Sequence, residues 1–291
     1  MQADGRRSLR RRTRLGGLAL VAACTALAVT GCIQATATPE TIYITLPPST
    51  PGPTVTPSTV APTGTPAPTA TATATPVAAA PTVSSTTVAA TAPDGRWSVS
   101  FRKPVVSGVA AAVVTAMNNS ITTRVNSFIS SFNGTELPVV ASGDAPSKLT
   151  GDFSVAFLSP SLLSLRFTVE TSITGAAHPS TQAGSINFNV ASGAVIQFPD
   201  LFTSPAAALP VLQTQAHTKL TALLGADLAW PASVTMADFG GAWAFTPAGL
   251  ELTWSQGDIA SMASGTPTIS IAWSALKTVI AKPGPAAGFV P

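Results

Sequence analysis

Charged side chains are scarce in this 291-residue sequence, at 9% of the total, and so are the groups that most often carry chemistry: two cysteines, two histidines and one tyrosine. His178 and His217 stand far apart with no ligand spacing around either, so no metal site and no cofactor is indicated. No G-x-S-x-G elbow occurs, and Cys32 is the one cysteine beyond the first apolar run, which excludes an intrachain disulfide framework in the remainder of the chain. No second long apolar run follows, so no transmembrane helix is expected after the first.

The amino terminus supplies what the rest lacks. Arg6, Arg7, Arg10, Arg11, Arg12 and Arg14 precede the apolar stretch Leu15 to Val29, which closes on Val29-Thr30-Gly31-Cys32. A basic segment, an apolar segment too short to span comfortably and small residues before a cysteine predict a lipoprotein signal peptide over 1–31, with lipid on Cys32 as the membrane anchor. Arg11-Arg12-Thr13-Arg14-Leu15 also admits twin-arginine export. The whole chain has 15 basic and 12 acidic residues, but with the leader removed nine bases face eleven acids. A nucleic-acid partner therefore loses its support. Residues 32–93 are almost entirely Thr, Pro, Ala, Ser and Val, with no charge between Glu40 and Asp94, and predict a disordered stalk between the anchor and a folded part.

From Asp94 the pattern becomes periodic. Trp97, Val99 and Phe101 alternate with polar residues as a strand that Pro104 ends or places at an edge. Val109, Val113, Met117, Ile121, Val125, Ile129 and Phe132 recur at helical spacing and predict a helix from about Ser107 to Phe132. A strand over 149–158 completes a strand-helix-strand part over 94–161. Leu163, Leu165, Phe167 and Val169 alternate again and open a unit of three strands running to Phe202. A second amphipathic helix carries Leu209, Leu212, Ala216, Leu220 and Leu223 and closes at Gly225. Strands at 243–245, 250–254 and 268–273 and a short helix at 274–280 finish a domain over 162–284, leaving 285–291 as a tail. Two main helices and about eight strands, mostly hairpin-connected, predict an α+β fold with a mainly antiparallel sheet.

Thr174-Gly175-Ala176-Ala177-His178, Ser192-Gly193, Asp200-Leu201-Phe202, Phe245 with Gly249-Leu250, and Asp258-Ile259-Ala260 before Gly265-Thr266-Pro267 follow in this order. In order and spacing this resembles the RsiV-type C-terminal domain, a family that includes a lysozyme-sensing anti-sigma regulator and is similar to mycobacterial secreted immunogenic antigens. The likeness runs from about Leu162 to Ile280. It implies a surface domain that captures a protein or cell-wall (peptidoglycan) ligand, with lysozyme as the most specific partner. Gly175, His178, Asp200, Glu251 and Asp258 are the candidate ligand-binding residues. The regulator's membrane helix and sigma-binding segment have no counterpart in these residues.

Isolated acids on strand faces and at helix starts are more often structural than catalytic, so a non-enzymatic, lipid-anchored binding module at the outer face of the cell membrane is expected. The alternatives are an enzyme acting on cell-wall polysaccharide, using acids such as Glu170 and Asp200, and an inert structural or antigenic surface lipoprotein.

Overall fold

The computed structural model describes residues 40–41, 79–141 and 143–290. The expected signal peptide, Cys32 and most of the expected stalk lie outside the described residues. The strands are β1 (Glu40–Thr41), β2 (Thr82–Thr91), β3 (Trp97–Ser107), β4 (Ser147–Leu158), β5 (Leu162–Ser172), β6 (Ser180–Asn189), β7 (Trp243–Phe245), β8 (Gly249–Thr253) and β9 (Thr268–Ala272). The helices are α1 (Ala111–Asn133), α2 (Pro205–Leu224), α3 (Met236–Gly240) and α4 (Trp273–Leu276). One sheet runs in the order β1-β2-β3-β4-β5-β6 and a second in the order β7-β8-β9. Every pair is antiparallel except β3 with β4, which α1 connects. The fold is α+β with a mainly antiparallel sheet, as the periodicity predicts.

Two apolar cores lie on the two sides of the larger sheet. On one side α1 presents Met117, Ile121, Val125, Phe128 and Phe132 to Phe101, Leu165 and Phe167. Gly151 on β4 stands opposite Phe101, where an added Cβ would come within 2.1 Å of the Phe101 ring, so only glycine leaves room for it. On the other side Leu162, Leu201, the α2 stripe Ala208, Leu212, Ala216 and Leu220, and the smaller sheet enclose Phe245, Ile271 and Trp273.

Between the layers runs a seam of side-chain hydrogen bonds. Ser185 Oγ accepts from Trp243 N at 2.9 Å, Asn187 Nδ2 donates to the Trp243 carbonyl at 3.0 Å, and Ser164 Oγ accepts from Phe245 N at 3.1 Å while donating to Asn187 Oδ1. Trp243 and Phe245 belong to the outer strand of the smaller sheet. Its free edge is thus satisfied by side chains standing on β5 and β6.

Several boundaries differ from the sequence reading. Order begins before Asp94, because the Thr- and Val-rich segment of β2, assigned to the stalk, pairs with β3 along all ten of its residues. The division at 161/162 falls inside the β4–β5 hairpin and separates nothing. The expected tail is packed rather than loose over residues 286–290, since Ala286 and Val290 are buried and Phe289 stacks on Trp273 at 4.9 Å. The third strand of the central unit is reduced to one bridge, Phe188 with Val195, before a 3-10 turn over Phe198–Leu201.

β3 also continues through Pro104. Val106, two residues on, turns its N–H and C=O to the Asn118 side chain of α1 rather than to β2. Backbone alternation aims the Pro104 nitrogen the same way, so the missing N–H costs no ladder bond.

Candidate functional site: a groove along an open strand edge

β6 is the last strand of the larger sheet, and its odd-numbered residues point their backbone groups away from β5. Both ends of this outer edge are occupied. Gln256 donates its N–H to the Thr181 carbonyl and accepts from Thr181 N through its side chain, and Ser255 Oγ accepts from Ala183 N. At the far end Ile196 N donates to the Asn187 carbonyl and Asn189 N to the Ala194 carbonyl. Between them the Ala183 carbonyl, the N–H and carbonyl of Ser185 and the N–H of Asn187 have no hydrogen-bond partner among the described residues.

These groups form the floor of a hollow of about 790 Å³. On one side Arg124 reaches from α1 to the sheet edge. Its guanidinium lies 4.6 Å from the centre of the Phe128 ring. Gly184 makes this possible: a Cβ there would stand 2.5 Å from the Phe128 ring and 3.1 Å from Arg124 Nη2. Arg124 has no carboxylate partner and its buried Nε has no hydrogen-bond partner among the described residues. Burial lowers its pKa from the usual arginine value, yet a guanidinium keeps its proton in proteins. The opposite wall comprises Phe198, α3, Trp243 and Trp254, with Asp238 and Asp258 on it.

The sequence-selected residues distribute as follows. Asp258 lines this groove, and its carboxylate accepts Ser255 N at 3.0 Å. Asp200 caps its own 3-10 turn by accepting Gln197 N at 3.0 Å and does not line the hollow. Glu251 on β8 sits in a separate hollow of about 280 Å³ between the sheets, with Oε1 2.5 Å from Arg166 Nε on β5. The two groups form an ion pair across the space between the sheets. Burial raises the Glu251 carboxyl above its ordinary value in spite of the opposing pull of Arg166. The three acids therefore do not form one cluster.

Gly175 occupies the β5–β6 turn at φ 79° with open space around it, and exposed His178 turns Nδ1 to the Pro179 carbonyl at 3.1 Å. Neither lines the groove. The loop does meet the 256 segment, however, because Gln256 clasps Thr181 just beyond it. Arg124, Ser185 and Asn187 were not selected from the sequence. Arg124 stands three residues after Ile121 and four before Phe128, and a charge set into an apolar helical stripe was the available signal. Among the described residues no group of His, Cys, Asp and Glu could hold a metal ion.

An α+β fold with a mainly antiparallel sheet is the class these elements define. No protein-family model and no curated protein matches the sequence. Among solved structures, a DUF3298 family protein from Pseudomonas aeruginosa PAO1 is similar at 14% identity and a TM-score of 0.50, over 72% of this chain and 96% of that one. A DUF3298 family member from Bacteroides fragilis NCTC 9343 matches at 15% identity and a TM-score of 0.45, over 69% and 94%. The first of these shows a shared fold.

Proposed function

We propose that this chain is a non-catalytic binding module, anchored by lipid on Cys32 to the outer face of the cell membrane, that captures a protein or cell-wall ligand in the groove along β6. The observation that carries the reading is the run of backbone groups at the groove that find no partner among the described residues, beside an arginine that no acid among them neutralises. The leader, Cys32 and the Thr/Pro-rich segment support the anchor. The absence of catalysis is supported by the employment of the candidate acids: Asp200 and Asp258 bind backbone N–H groups and Glu251 faces Arg166.

Two experiments test it. Cys32→Ser should yield an exported chain that no longer takes up radioactive palmitate, and labelling that persists sinks the anchor. The immobilised chain should bind, saturably, either a defined envelope protein or purified peptidoglycan fragments, with Arg124→Gln weakening capture at unchanged melting temperature. Calorimetric titration with lysozyme at low and moderate salt belongs to the same series, and silence in both removes that partner. Turnover of peptidoglycan that Glu170→Gln or Asp200→Asn abolishes would replace the binding reading with an enzymatic one.

A further inference from the structure

We infer that the groove takes its ligand as an added β-strand: an extended peptide segment, antiparallel to β6 and centred opposite Ser185, carrying a carboxylate that meets Arg124. This rests on the binding reading above and names the class of ligand and the way it is held.

The four free groups have the spacing that one incoming strand satisfies. A residue placed opposite Ser185 exchanges both backbone hydrogen bonds with it. The residue two positions further along donates its N–H to the Ala183 carbonyl, and the residue two positions back accepts from Asn187 N. A five-residue segment, about 17 Å long, therefore completes this stretch of edge. It cannot extend much further in register, because Ser255 and Gln256 close one end and Val195–Ile196 the other.

Side-chain direction then assigns the sequence preference. The odd residues of β6 point toward β7, as Ser185 and Asn187 show by bonding Trp243. The even residues Gly184 and Ile186 point toward α1, where Arg124 and Phe128 cover Gly184. Residues of the incoming strand that stand opposite Gly184 and Ile186 share that face. An Asp or Glu there lies beside a guanidinium whose Nε has no hydrogen-bond partner, and which has no acid beside it, among the described residues. Residues facing the other way meet Trp243 and Trp254, with Asp238 and Asp258 nearby, which favours neutral side chains. The preferred ligand alternates neutral and acidic residues.

A second copy of the chain would offer the same four groups in reverse and so satisfy them by symmetry. Its edge is also sunk between α1 and α3, however, and pairing would bring two Arg124 side chains to one seam. A thin single strand fits where a whole sheet edge does not.

The test uses the full chain and the peptide acetyl-Thr-Glu-Val-Glu-Thr-amide, with binding followed by tryptophan fluorescence or calorimetry. Methylating the central Val nitrogen removes the donor to the Ser185 carbonyl and should weaken binding about tenfold. Methylating the nitrogen of the Glu that follows, which points away from β6, should leave affinity within about twofold. Exchanging both Glu for Gln should weaken binding about tenfold to the natural chain and hardly at all to Arg124→Gln. Equal loss from both methylations, the reverse order, a Glu preference that survives Arg124→Gln, or no binding at millimolar peptide overturns the inference. So does sedimentation showing a dimer that the peptide does not dissociate. Capture of an envelope protein or peptidoglycan that this peptide fails to compete would leave the binding module standing and remove strand addition alone.

Discussion

Glu251 shows how burial and pairing compete at a single residue. A 2.5 Å ion pair with Arg166 would by itself lower the carboxyl pKa, yet the site between the sheets removes enough water for burial to prevail and the pKa rises. A carboxyl whose folded pKa exceeds its unfolded one contributes stability in full below the unfolded value, and that contribution is lost as pH rises through the raised folded value. Thermal melts of the natural chain should therefore lose stability across that interval in a step that Glu251→Gln lacks; an identical pH profile for the two would refute it. The sequence showed this acid between Leu250 and Leu252 but not that Arg166, far away in the chain, would face it. Asp200 and Asp258 were misleading for a related reason. An acid three residues after the start of a turn reads equally well as a ligand contact or as a cap, and here each is a cap.

Among the elements, β2 was the least legible and α1 the most. The α1 stripe persists for six turns, although the helix begins at Ala111 rather than Ser107. β2 shares its Thr, Val and Ala with the stalk, so composition hid it. Its distinguishing mark is an interval without proline from Thr82 to Ala92, bracketed by Pro81 and Pro93, in which every residue retains the N–H that a ladder needs. A chain started at Asp94 leaves the long edge of β3 bare and uncovers Val83's contacts in the α1 core. It should melt well below a chain started at Ala79 and aggregate on concentration; equal melting temperatures would show that β2 adds nothing.

For the whole molecule, periodicity gave the class and most elements, but not the division of the core. Alternation along β5 shows that Leu163, Leu165 and Phe167 share a face, whereas it is silent on what Ser164 does on the other. Ser164 and Asn187 are both buried, and their hydrogen bonds hold the smaller sheet to the larger. Asn187→Ala leaves the Trp243 carbonyl without that donor and Ser164 without its acceptor, so a loss of about 3 kcal/mol is expected in urea unfolding. A loss under about 0.5 kcal/mol would mean that apolar contact alone joins the layers.

The same seam sets an order in time. The buried residues of the α1 core lie between Val83 and Val190, with Val195 packed against them, so that layer can close before the rest of the chain is in place. The other layer cannot, because Phe245 reaches back to Ser164 and its ring also waits for Phe289, almost at the last residue. Refolding should accordingly slow when the first layer is weakened, as by Phe101→Leu. Weakening the second, as by Trp273→Phe, should chiefly hasten unfolding. The half of the molecule that carries β6 is then assembled first, and until β7 arrives its Ser164 and Asn187 side chains have only each other to bond.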